Sequence, residues 1–112
     1  MERLSRITPA ILDVLSVLLS SRDDLHGFTL AKAAGRPTGS VYIILGRLED
    51  AGWVESYWED VNAQNEGRPR RRFYKLSPDG ASAARKVLEE RRPRQARLSV
   101  GEIPGFTGLQ GA

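Results

Sequence analysis

The chain contains no cysteine and only one histidine and one methionine in 112 residues. Without thiols, disulfides, zinc knuckles and cysteine nucleophiles are all excluded, and the composition fits a reducing cytoplasm. Long apolar runs are missing too. The opening stretch, Met1 to Val14, is too short and too interrupted by Asp13 to read as a signal or membrane segment. Asp23 and Asp24 have no third ligand near them in sequence, and the lone His26 belongs to no Ser/His/Asp set. No nucleophile–base pair, metal cluster or phosphate loop is present, so neither an enzyme nor a cofactor is expected. The length suits one domain with one modest core.

Charge, by contrast, is plentiful and unevenly spread. Residues 1–66 hold six Arg/Lys against ten Asp/Glu, a balance of −4, while residues 67–112 hold eleven against four, a balance of +7. Such lopsidedness is expected where one end of a domain faces phosphates; the plainer reading is a solvated basic tail.

Thr8 followed by Pro9 is a strong helix start, a hydroxyl cap with proline at the first helical position. Ile7, Ile11, Leu15, Leu18 and Leu19 then form one apolar stripe, and Ala10, Val14 and Val17 an adjoining one. A surface helix needs one stripe, so the surplus implies a second buried contact, either another subunit or a central place in the monomer core. A polar turn over residues 20–24 leads to a second helix from Leu25 to Ala34, with Phe28, Leu30, Ala31 and Ala34 expected inside. Gly35-Arg36-Pro37 ends it. Thr38 or Ser40 caps a third helix to about Ala51, whose core face is Val41, Ile44, Leu45 and Leu48 and whose C-cap is Gly52.

Residues 53–59 are rich in strand formers, residues 60–69 read as a long hairpin tip, and Arg70–Leu76 as the return strand. Ser77-Pro78-Asp79 restarts a fourth helix that meets Pro93. Beyond it, residues 93–112 read as a flexible basic, Gly-rich tail. The fold class is therefore mainly α (α+β): a winged helix-turn-helix of three helices, a two-stranded wing and a C-terminal fourth helix, over residues 1–92.

A helix able to enter a groove, beside a basic ribbon, is a nucleic-acid-binding layout. On the outer face of the third helix, Thr38 and Ser40 can donate to phosphates or bases, and Gly39 allows close backbone approach. Tyr42 and Ile43 offer apolar contact, and Arg47 is the one side chain there able to make a bidentate guanine contact. With no Asn or Gln on that face, direct readout should be sparse and lean on DNA shape. Arg68, Arg70, Arg71 and Arg72 alternate sides along the wing, so two or three phosphate or minor-groove contacts are expected from them. Competing readings are helix capping for Thr38 and Ser40, core packing for Tyr42, and pairing of Arg47 with Glu49 or Asp50. His26 is expected to cap or pack, and one of Trp53 and Trp58 to be core. A winged-helix module for protein interaction is the other functional class, one that calls for an uncharged wing.

The segments Leu25-His26-Gly27-Phe28, Gly39-Ser40-Val41-Tyr42 with Leu45, Arg47, Leu48 and Glu49, Gly52 to Ser56, and Arg70 to Leu76 resemble the PadR family of transcriptional regulators. The resemblance spans about Ile7 to Leu88. It implies a homodimeric bacterial or phage repressor on a pseudo-palindromic operator in the cytoplasm, associated with the nucleoid through DNA. In such a repressor the third helix lies in the major groove and the wing reaches toward the flanking minor groove or backbone. It also implies a small phenolic or hydrophobic effector near the dimer interface. The second helix is short, Ile43 replaces the family's usual proline, and Pro93 interrupts the C-terminal helix through which members usually dimerise. Dimerisation would then rest on Ile7, Ile11, Val14 and Leu18 of the first helix and Leu88 of the last.

Overall fold

A computed structural model describes residues 1–92; the tail expectation for residues 93–112 lies outside them. Helix α1 (Pro9–Ser20) opens as expected, with the Thr8 hydroxyl accepting from the Ile11 N–H. Its surplus of apolar residues goes into the chain's own core: Ile11, Leu12, Val14, Leu15 and Leu18 are all buried. Ile11, Val14 and Leu18 are thus already covered before any second copy arrives, whereas Ile7 and Leu88 stay partly exposed.

The second helix is shorter than expected. Leu25–His26 form a two-residue strand, β1, and α2 runs from Gly27 to Ala34. Its inward positions are Gly27, Leu30 and Ala31, an i, i+3, i+4 set that leaves Phe28 outside and 61% exposed, contrary to the expectation of a core residue. Gly35 closes α2 in the left-handed region at φ 68, and Arg36 and Pro37 complete the turn. Helix α3 (Thr38–Asp50) follows, with Val41, Ile44, Leu45 and Leu48 buried as the periodicity requires. Its C-cap is Ala51; Gly52, expected in that role, is the next residue and supplies the positive φ of 84.

Strand β2 (Val54–Trp58) and β3 (Arg72–Leu76) pair antiparallel, with Val54 opposite Leu76 and Trp58 opposite Arg72. On its other edge β3 takes up β1, Leu25 opposite Tyr74, so the wing belongs to a three-stranded sheet in the order β1-β3-β2. The tip holds a turn of helix, α4 (Ala63–Glu66), capped by the Asn62 side chain and closed by Gly67 at φ 69. Helix α5 (Pro78–Arg91) starts on the Ser77 hydroxyl, which accepts from the Gly80 N–H and donates to the Gly52 carbonyl at 2.8 Å. The core lies among α1, α2, α3, the base of the wing and Ala84 of α5.

Candidate nucleic-acid interface

The turn between α2 and α3 spans three residues, within the range of helix-turn-helix connections. Arg36 in that turn is anchored to Asp13 of α1 at 2.8 Å, and Arg92 at the end of α5 reaches the other oxygen of the same carboxylate at 2.8 Å. Burial opposes ionisation of Asp13, but the hydrogen bonds and charges of Arg92 and Arg36 prevail and hold its pKa below the ordinary value. One carboxylate thereby fixes the entry to α3 against the rest of the domain.

Helix α3 begins at Thr38 with Pro37 as N-cap, and no side chain caps it. The capping alternative for Thr38 and Ser40 therefore does not apply: their hydroxyls are not spent on the helix end. Gly39, Ser40, Tyr42, Ile43, Gly46 and Arg47 are exposed along one face. Ile43 is 62% exposed. Arg47 makes no ion pair with a described residue; its expected competitor Glu49 is engaged elsewhere. Tyr42 is half in and half out. Its ring leans edge-on toward Tyr74, centroids 6.5 Å apart, and lies so close over Gly27 that a Cβ there would meet it at 2.5 Å.

The four wing arginines divide by what already holds them. Arg68 is clamped by both oxygens of Glu59, at 2.7 and 3.0 Å, and the pair is largely covered. Glu59 is in turn pulled down to a pKa of about 2, first by the Arg68 hydrogen bonds and further by the Arg71 backbone N–H. Arg72 donates from Nε to the Ser56 hydroxyl, sits 3.5 Å from the Glu49 carboxylate and lies over the Trp58 ring at 5.2 Å. Arg70 gives its Nε to the Val61 carbonyl, a contact that leaves its charge uncompensated. The Arg71 side chain makes no hydrogen bond or ion pair with described residues and points its charge outward. The return strand expected from Arg70 begins only at Arg72, so Arg68, Arg70 and Arg71 precede β3 and strand alternation does not divide the four; the acceptors on neighbouring elements do.

His26 packs edge-on against Phe73 and shares a hydrogen bond with the Thr29 hydroxyl at 2.8 Å, the packing role expected of it. Burial and then the Arg71 charge lower its pKa. Of the tryptophans, Trp53 is the core member, 4% exposed and donating Nε1 to the Glu2 carbonyl, while Trp58 is 56% exposed. Phe28 and Trp58 are the side chains of this face that the sequence reading overlooked. Each carried a signal: Phe28 falls one position off the inward set of α2, and Val54, Ser56 and Trp58 share a strand face that runs out beyond the core.

Among the described residues no group of His, Asp and Glu could hold a metal ion, and no helix is long and apolar enough to cross a membrane. The model of the transcriptional regulator PadR-like family matches residues 14–86. Among solved structures, a PadR family transcription regulator from Clostridium difficile is similar at 26% identity, covering 79% of this chain and 94% of its own, with a TM-score of 0.58. A protein from Ralstonia eutropha matches at 26% identity over 73% of this chain and 98% of its own, TM-score 0.56. The Staphylococcus aureus regulator MepR in its DNA-binding conformation shares the fold at 23% identity over 93% of this chain and 72% of its own, TM-score 0.67. None of the curated proteins compared matches. With a helix-turn-helix whose outer face is open, a basic wing beside it and the family match over most of the described chain, the protein belongs to the PadR-like family of winged-helix transcription regulators, DNA-binding proteins rather than enzymes.

Proposed function

We propose that the chain acts as a homodimeric transcriptional repressor, two copies placing α3 in the half-sites of a pseudo-palindromic operator. The observation that carries this reading is the open face of α3, with Ser40, Ile43 and Arg47 unspent on the fold, flanked by the outward charges of Arg70 and Arg71. In this reading Thr38, Gly39, Ser40, Tyr42, Ile43 and Arg47 meet the major groove. Arg70 and Arg71 meet phosphates, Arg68 adds charge only after leaving Glu59, and Arg72 acts through the wing. Arg47 is the main guanine reader. Because so few side chains suit base readout, one copy binds with little discrimination, and a pair of half-sites multiplies it.

What supports a partner surface is the apolar face where the N-terminal segment meets α5. There Leu4, Ile7 and Val87 are partly buried hydrophobics lining a groove of about 650 Å³ between the N-terminal segment and α5, and Leu88, partly buried too, follows Val87 in α5. These residues, with Ile7 and Leu88 kept from the earlier set, form the dimer contact. A small hydrophobic or phenolic effector would enter the same groove and alter the spacing of the two copies. Light scattering of the protein with and without DNA from upstream of its own gene, together with footprinting, tests the reading. The expected outcome is twice the chain mass and two protected patches about 10 base pairs apart, centre to centre. A monomer that protects nothing would sink it.

A further inference from the structure

The openings of α2 and α3 and the wing enclose a groove of about 560 Å³. Three large aromatic side chains line it while facing water: Phe28, Tyr42 and Trp58, 61%, 45% and 56% exposed. Isolated exposed aromatics need no explanation, but three in one concavity form an apolar patch of the kind that marks a binding surface. The remaining wall is cationic, with Arg70, Arg71 and Arg72, and no carboxylate is among its described lining residues. Of these, Arg72 is turned inward to Ser56, whereas Arg70 and Arg71 keep their charge.

An occupant must therefore offer negative charge to the arginines and apolar surface to the aromatics. It must also run on from the N-terminal half of α3, since Tyr42 belongs to both surfaces. A duplex strand has that alternation: charged phosphates separated by deoxyribose rings, whose carbon faces are apolar. Paired bases are stacked and show the rings no face, so the sugars are what the aromatics can meet. We propose that this groove grips one sugar–phosphate strand of duplex DNA, Phe28 and Trp58 packing on deoxyribose while Arg70 and Arg71 hold the flanking phosphates. The proposal rests on the DNA-binding reading and adds two contact residues to it. Such a grip is blind to sequence; it sets the register in which α3 meets the bases.

Sugar packing and phosphate pairing differ in salt dependence, and the test uses that. Fluorescence anisotropy of a labelled mixed-sequence duplex is titrated with protein over a salt series, with thermal melts confirming that each variant is folded. Phe28→Ala and Trp58→Ala each weaken binding about tenfold, the loss expected for one aromatic side chain left without its apolar contact. Neither change alters the slope of log K against log salt. Trp58→Phe keeps most of the affinity. Arg71→Ala, in contrast, lowers the slope. If the wild type binds the duplex and Phe28→Ala and Trp58→Ala bind as well as it does, the grip is wrong and the DNA reading stands. If the wild type binds no duplex, both fall. Weakened binding of a single-stranded oligonucleotide with unchanged binding of the duplex would also overturn the grip, in favour of a base-stacking site.

Discussion

Gly27 and Gly80 are both restricted by what stands next to them, but the neighbours differ in whether they can yield. A Cβ on Gly80 would lie 2.0 Å from the Trp53 carbonyl oxygen, in backbone that also accepts from the Ser77 N–H at 2.9 Å. Nothing there can move without dragging the end of α3 away from the start of α5. Gly80→Ala should therefore cost about 3 kcal/mol, the upper part of the overpacking range, and lower Tm by roughly 15 °C. At Gly27 the clash is with the ring atoms of Tyr42, the free end of a half-exposed side chain. Gly27→Ala should leave stability within about 1 kcal/mol of wild type, since alanine also favours the helix. It should nevertheless weaken DNA binding by swinging Tyr42 off the face of α3. Thermal melts and duplex titrations of the two variants separate fold from function. A Gly27→Ala protein with unaltered DNA affinity would remove Tyr42 from the interface.

Among the elements, α3 and the wing are joined by one polar relay: Arg72 of β3 to the Ser56 hydroxyl of β2, and Ser56 to the Glu49 carboxylate of α3. In the proposed reading this makes Arg72 a positioning residue, tying the wing to α3. Its sign can be tested because Glu49 carries a charge of its own. If Glu49 were merely an anion near DNA, Glu49→Gln would tighten binding. As the α3 end of a latch, it should instead lower the ratio of specific to non-specific affinity, about tenfold, roughly the lower worth of one hydrogen bond to a charged group. Tighter specific binding by the variant would refute the latch. Such cross-element contacts explain what was legible beforehand. Helix starts at Thr8-Pro9 and Ser77-Pro78, and the core face of α3, depend on neighbours within a few residues and could be read directly. Strand β1 is two residues whose strand pairing is with β3, far along the chain, so no local pattern announced it. The pairing of Arg68 and Arg72 was hidden for the same reason: their acceptors, Glu59 and Glu49, are placed by the hairpin and by α3 packing.

For the whole molecule the issue is how charge and copy number combine. The balance of +7 over residues 67–112 suggested a strong electrostatic clamp, yet within the wing Arg68 is neutralised by Glu59 and Arg72 is half-committed to Glu49. That leaves Arg70 and Arg71 as the wing arginines whose charge no described carboxylate offsets, and in the proposed reading they supply two phosphate contacts per copy, the lower end of the two or three expected. Affinity from so few contacts is modest, and doubling them in a symmetric dimer is the direct way to raise it. The salt dependence of binding counts them. Each phosphate contact contributes about 0.9 to the slope of log K against log salt, so Arg71→Ala should lower the slope by roughly 1.8 if a dimer binds and by about 0.9 if a monomer does. The measurement needs no operator, because phosphate contacts are shared by specific and non-specific complexes. Combining Arg71→Ala with Ile7→Glu and Leu88→Glu, which place charge in the proposed dimer contact, should halve the drop per complex to the monomer value. A drop that stays near 1.8 in that background would show that the copies meet through some other surface. A drop near 0.9 in the otherwise unaltered protein would show that a single copy binds alone.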